Sequence, residues 1–368
     1  MAGPENVVYT SEDEQCPRSK ERLLADIGAR KSEHLDIVMS GNVQALDVGT
    51  GFAAIRFEHV AAPEIDFDCI ALDTLFLHRR LKAPFLISSM TGGPARAADI
   101  NHAIAEAAET LGIALAVGSQ RIALEGIADG GFTRDLRRLA PSVPILGNIG
   151  AAQLRGPDAV DLARRATDMI EADALIIHLN PLQEAVQPGG DRNWSGVLDA
   201  IGRVAKGLSV PVAVKEVGCG ISAPIAKRLT GLGVSIIDVA GAGGTSWAAV
   251  EAERATSLRD RAIASAFRDW GIPTSVAVPA VRAACPDAVI IASGGLRTGI
   301  DAAKAIRLGA DLAGFAAGIL PAALDSPAAL VSRFEVLAEE LRIACFCTGS
   351  RDLASLRHAS LMSGPAGF

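Results

Sequence analysis

One tyrosine, three tryptophans and an aromatic content of 4% leave this 368-residue sequence short of ring surface. Its core must therefore be packed from Ala, Val, Ile and Leu, as in α/β proteins. Cysteines are few and scattered: Cys16, Cys69, Cys219, Cys285, Cys345 and Cys347 form no CxxC pair. That spacing argues against a zinc cluster and a disulfide-stapled scaffold, and favours a reducing compartment. Positive charge is in deficit too. A formal net charge of -7 and a pI near 5.5 oppose a nucleic-acid partner, because a polyanion would meet long-range repulsion. Any phosphate has to be caught in a local pocket. The most apolar run, residues 312–324, is too short to span a bilayer and is interrupted by Gly314, Gly318 and Pro321. The opening MAGPENVVYTSEDEQ carries acids and lacks the basic and apolar regions of a secretory signal. The expectation is a soluble, cytoplasmic protein with neither membrane nor nucleic acid as partner.

What is present is a repeat. With 37 Gly, 49% hydrophobic residues and a mean hydropathy of +0.30, the composition suits many tight βα turns. From Phe85 onward, apolar runs alternate with longer stretches of helical period. The candidate strands are FLISSM (85–90), IALAVG (113–118), PILGNI (144–149), ALIIHLN (174–180), PVAVKEV (211–217), SIIDVAG (235–241), AVIIASGG (288–295) and DLAGFA (311–316). Candidate helices include 96–111, 159–172, 223–232, 300–308 and 327–343. Eight such units predict an α/β fold of the (β/α)8 TIM barrel type. Residues 1–29 read as a polar arm, 30–350 as the barrel with an N-terminal capping segment, and 351–368 as a tail. IRFEHVAAPEIDFDCI (55–70) reads as a β-hairpin closing the barrel bottom. The sixth βα connection, 241–286, is long and carries Trp247, Trp270 and Pro273; it is a lid, an assembly surface or a plain excursion.

In this fold, chemistry sits where strands end. Polar residues close five successive units: Ser88-Ser89-Met90-Thr91-Gly92-Gly93, Gly118-Ser119-Gln120-Arg121, Asn148, then His178, Asn180, Gln183 and Glu184, then Lys215-Glu216. Each alone has a bland reading as a turn, a cap or a core polar group. Together they would ring one pocket suited to a polar heterocycle beside an anion. Glycine-rich turns follow the last three strands: Gly241 to Thr245, Ser293 to Arg297 and Gly314 to Gly318. Their backbone N–H groups can approach a cofactor phosphate. Gly218-Cys219-Gly220 with Ala223 imitates a dinucleotide fingerprint, but it lies inside the repeat behind the charged pair Lys215-Glu216. Glu184 is either a Mg²⁺ ligand beside substrate phosphates or a solvated loop acid. Lys215 could face the pyrimidine edge of a flavin or form a Schiff base. Arg30-Lys31 is either a solvated patch or a pair of cations folded over the barrel mouth.

The motifs ARKSEH, SSMTGG, GSQR, NIGA, HLNPLQE, QPGGDRNWSG, VKEVGCG, DVAGAGGTSW, SGGLRTGIDAAKAIRLGA and CFCTGS resemble those of the type 2 isopentenyl-diphosphate isomerases over roughly residues 30–350. The resemblance implies a homo-oligomeric FMN barrel, a tetramer or octamer, that needs Mg²⁺ and a flavin reduced by NADPH or another donor. It implies interconversion of isopentenyl and dimethylallyl diphosphate by adding one proton and removing another. Carried over by position, Ser89, Met90, Thr91, Gly92, Ser119, Asn148, Lys215, Thr245, Gly294, Gly295, Ala316 and Ala317 would hold FMN. Arg30, Lys31, Ser119, Gln120, Arg121, His178, Asn180 and Gln183 would face substrate, with Gln183 and His178 catalytic and Glu184 on the metal. The chain departs at Ala240, where the family often carries a serine beside the flavin. The rival reading is an FMN-dependent 2-hydroxy-acid oxidase. That chemistry needs a histidine base closely followed by an arginine, whereas no histidine lies between His178 and the isolated His358.

Overall fold

The computed structural model describes residues 33–41, 43–90, 94–126 and 130–362. Eight parallel strands close a barrel in chain order: β1 (Phe85–Ile87), β2 (Ala114–Ala116), β3 (Ile145–Gly150), β4 (Ala174–His178), β5 (Val212–Lys215), β6 (Ile236–Asp238), β7 (Val289–Ala292) and β8 (Leu312–Phe315), with β8 returning to β1. Each falls on one of the expected apolar runs, β3 reaching one residue past its run at Gly150. The helices between them also fall where the period places them, for example Pro94–Leu111, Ala159–Ile170, Ala223–Gly231, Gly299–Arg307 and Pro327–Cys347.

Strand residues alternate between two apolar clusters, as period-two geometry demands. On β4, Leu175 and Ile177 face the surrounding helices, while Ala174 and Ile176 join the barrel interior. The interior layer is Leu86, Ala114, Ala116, Leu146, Ile176, Ala213, Ile236, Ile291 and Leu312, all at most 1% exposed. One inward step further along the chain the residues change character. Leu86 is followed by Ser88, Leu146 by Asn148, Ile176 by His178, Ala213 by Lys215, Ile236 by Asp238, Ile291 by Ser293 and Leu312 by Gly314. An apolar plug therefore supports a polar ring at the carboxyl end of the barrel.

Segment 55–70 is not the hairpin expected. Its middle holds Pro63, which lacks a donor, and its N–H groups and carbonyls pair with the C-terminal segment instead. Glu58 N donates to Ser360 O, Val60 N to Cys347 O, and Met362 N to Arg56 O. The hairpin lies later, with Thr74–Phe76 antiparallel to Arg79–Leu81. Its two-residue loop, Leu77-His78, has positive φ at both positions (50° and 62°), as the twist of a two-residue hairpin requires. Phe76 and Leu81 join the interior cluster and close the amino end. Leu81→Ala would remove this stopper, and we expect a loss of about 2–5 kcal/mol in urea unfolding; an unchanged midpoint would show that the hairpin carries no core.

The sixth connection is three helices, Trp247–Arg254, Leu258–Ala266 and Thr274–Ala284. The first turns toward the barrel mouth and meets helix 33–39 through an edge contact of His34 with Trp247. The second leaves Leu258 (85%) and, beyond its end, Trp270 (63%) exposed.

Candidate active site

The polar ring floors a cavity of about 550 Å³ at the carboxyl ends of the strands, a size that suits a cofactor with a small substrate. Ser89, Met90, Ser119, Arg121, Asn148, His178, Asn180, Gln183, Glu184, Lys215, Thr245, Gly294, Gly295, Ala316 and Ala317 all line it. Thr91, Gly92, Arg30 and Lys31 lie outside the described residues. Gln120 does not reach the cavity. It is fully buried, donating from Nε2 to Ala166 O (2.8 Å) and accepting from Asn148 N (2.9 Å). The amide that the motif offered to substrate thus holds β3 in place.

Asn148 fixes the tautomer of His178. Its Nδ2 donates to Val117 O (3.1 Å), so its Oδ1, an acceptor only, must receive the proton of His178 Nδ1 at 2.8 Å. In its neutral form that ring presents Nε2 as an acceptor. Lys215 Nζ donates to Glu216 O at 2.7 Å. Glu216 turns inward on its own loop, where its carboxylate accepts from the N–H groups of Val217, Gly218 and Cys219. Burial nevertheless pushes its pKa up against those three donors. Burial likewise raises Asp238, opposed by Lys215, Ser293 and the Ala240 N–H, and lifts the Cys219 thiol to about 12, leaving it unreactive. The Gly218-Cys219-Gly220 turn is thus organised by a carboxylate and serves a barrel loop rather than a dinucleotide fingerprint.

Helix Pro181–Val186 opens on Pro181 and presents Gln183 and Glu184 one after the other. Asn180 Nδ2 donates to Gln183 Oε1 (3.1 Å) and Glu184 Oε1 (3.0 Å). Gln183 Nε2 donates to Glu251 Oε1 (3.3 Å). Because a carboxylate only accepts, Glu251 fixes which end of the Gln183 amide is which. The sequence did not point to Glu251. It is 1% exposed, it pairs with His34 (2.9 Å) and Arg254 (2.7 Å), and it joins the capping segment to the reacting loop. Burial alone would raise its pKa; hydrogen bonding and charge from His34, then Arg254 and Gln183, hold it below the usual carboxylate value. The only sequence signal was a helical acid at an i, i+4 spacing from a cavity tryptophan, Trp247.

Two observations bear on a cofactor. The side-chain oxygens of Ser88 and Ser89 are buried without a partner beside the cavity, a costly arrangement unless a ligand satisfies them. The glycine loops also leave no room for side chains: a Cβ on Gly314 would sit 2.6 Å from Ser88 Oγ, and one on Gly118 2.5 Å from Met90 O. Hydroxyls, Asn148, Lys215 and glycine turns in one cleft fit a flavin with its phosphate at the seventh and eighth loops. A metal is a narrower fit. Among the described residues no cluster of three or more His, Cys, Asp or Glu could hold one. Glu184 Oε2 already accepts from Asp191 N (2.7 Å) and Gln187 Nε2 (3.3 Å), so a cation there would rely on substrate oxygens and water.

The family model of FMN-dependent dehydrogenases matches residues 180–363. A mandelate oxidase structure with an FMN adduct superposes with a TM-score of 0.61, covering 86% of this chain and 90% of that one; at 16% identity the likeness shows the fold alone. Fold and site together define an FMN-binding (β/α)8 barrel enzyme. Two relatives specify it further: the isopentenyl-diphosphate delta-isomerases of Stutzerimonas stutzeri, 62% identical over 94% of this chain and 98% of that protein, and of Xanthobacter autotrophicus, 60% identical over 91% and 97%. The chain belongs to the type 2, FMN-dependent family of isopentenyl-diphosphate delta-isomerases.

Proposed function

We propose that the cavity interconverts isopentenyl and dimethylallyl diphosphate by protonating the alkene and removing a proton from the neighbouring carbon. The observation that carries this reading is the clamped amide: Gln183 is held between Asn180 and Glu251 on the wall of the same cavity that holds the partnerless serines. Reduced FMN, when bound, supplies an electron-rich ring face and an exchangeable proton. Lys215, at the end of β5, would place its ammonium against the pyrimidine edge of that ring. Arg121, with Arg30 and Lys31 from the capping segment, would tether the diphosphate. His178 would exchange a proton through Nε2, and Gln183 would assist proton transfer. Trp247 and helix 33–39 would close the mouth and exclude water.

Glu184 is proposed to hold Mg²⁺ beside the diphosphate, with NADPH as the reductant. Glu184→Gln is expected to raise the Mg²⁺ concentration needed for half-maximal activity about tenfold or more. Unchanged metal dependence would reduce Glu184 to an anchor for the 187–191 turn. Further proposals are a cytoplasmic location and a tetramer or octamer that covers Leu258 and Trp270. Among the described residues no helix is long and apolar enough to cross a membrane. The decisive assay supplies isopentenyl diphosphate and dithionite-reduced FMN in deuterated water, with and without Mg²⁺. Product formation with deuterium incorporation is expected; absence of both under every condition would defeat the proposal.

A further inference from the structure

We infer that Arg333, on the outer helix Pro327–Cys347, supplies a cation to the cofactor's phosphate and makes the site select FMN over the unphosphorylated flavin. The inference rests on the flavin reading above and adds a residue to it.

Gly299 makes the placement possible. A Cβ there would sit 2.1 Å from Leu337 O and 2.6 Å from Leu341 N, so its bare backbone lets the outer helix close onto the loop after β7. Glu340 locks the approach by accepting from Gly299 N. Arg333 precedes Glu340 by seven residues, two helical turns, and so shares its face. There the guanidinium is half-buried, lines the cavity beside Gly295, Leu296, Ala317 and Gly318, and donates from Nη2 to Arg297 O at 2.6 Å.

The charge at this end is uncompensated. The nearby acids are turned to backbone: Asp301 Oδ2 accepts from the N–H groups of Arg297 and Thr298, and Glu340 from that of Gly299. Among the described residues neither Arg297 nor Arg333 has a carboxylate partner. One Arg333 donor holds the loop carbonyl, and the rest of its planar fork is left for an anion of matching geometry. The proposed function puts the diphosphate on the Arg121 and Glu184 wall, which leaves the seventh and eighth loops to a phosphate monoester.

The full-length chain is loaded with FMN or with riboflavin, and flavin release on dilution is followed by recovery of fluorescence. Arg333→Met should weaken FMN retention about 10- to 100-fold while leaving riboflavin unchanged. Arg333→Lys, which keeps charge and stem, should recover part of that loss. Equal weakening of both flavins, or unchanged FMN retention, overturns the inference while the cofactor reading stands. A raised KM for isopentenyl diphosphate with FMN held as before also overturns it, by placing Arg333 on the substrate. A wild-type chain that retains neither flavin overturns the cofactor reading and this inference together.

Discussion

Gly294→Ala is expected to yield a protein that purifies without flavin and unfolds at least about 3 kcal/mol more easily in urea, provided it folds at all. Gly294 has φ +97°, which an L side chain rarely adopts. A Cβ there would lie 2.2 Å from Gly241 O, 2.4 Å from Gly241 N and 2.8 Å from Ala240 C. All three are backbone atoms of the loop after β6, so no side chain can swing away. The neighbouring contacts repeat the pattern: a Cβ on Gly244 would strike Gly295 N at 2.6 Å, and one on Gly243 would strike Thr50 N at 2.1 Å. The sixth loop, the seventh loop and the capping segment are therefore stacked backbone on backbone. One methyl would part them and displace the N–H groups proposed to receive the phosphate. Gly156 is the control, because an added methyl there would meet nothing within 4 Å and its φ of -72° suits any residue. Gly156→Ala should change stability by no more than about 0.5 kcal/mol. A flavin-loaded Gly294→Ala protein with wild-type stability would refute the stacking argument.

Those glycines show both what a sequence carries and what it withholds. Their position after the last three strands suggested a phosphate site, and they line the cavity. That they also pack against one another, across about fifty residues between Gly241 and Gly294, is a tertiary relation that no local pattern carries. The strands were legible because both of their faces are apolar and most runs break off in polar or glycine residues. The same period-two step that buries Ile176 and Ala213 turns His178 and Lys215 into the cavity, so the polar ring was written into the alternation. Leu77-His78 hid the hairpin because it lacks the Asn-Gly or Gly of a typical two-residue turn. Gln120 misled for a different reason. It sits at a strand end, yet its amide meets the main-chain needs of Asn148 and Ala166.

Glu251 was hard to single out because the partners that tie it to the site are remote, His34 by 217 positions and Gln183 by 68, and its importance is best tested through Gln183. Gln183→Asn withdraws the amide by one methylene from both clamps, and a displacement of about 1 Å at a reacting centre costs on the order of 10²-fold in turnover. FMN retention should be unchanged, since Gln183 belongs to the wall opposite the glycine loops. Glu251→Gln keeps the shape but replaces an acceptor with a group that both donates and accepts, so the Gln183 amide loses its fixed sense; a fall of about tenfold in kcat is expected. If both act through one amide, the double variant should be little worse than Gln183→Asn alone, whereas independent roles would multiply the two losses. A second readout comes from acid. The Glu251 carboxyl is held below its ordinary 4.5, so its contribution to stability is complete above that value and is lost as the pH falls through the lower folded-state value. Wild-type melting temperature should therefore drop more steeply below pH 4.5 than that of Glu251→Gln. Parallel acid profiles together with multiplicative kinetic losses would detach Glu251 from the reacting loop and leave Gln183 positioned by Asn180 alone.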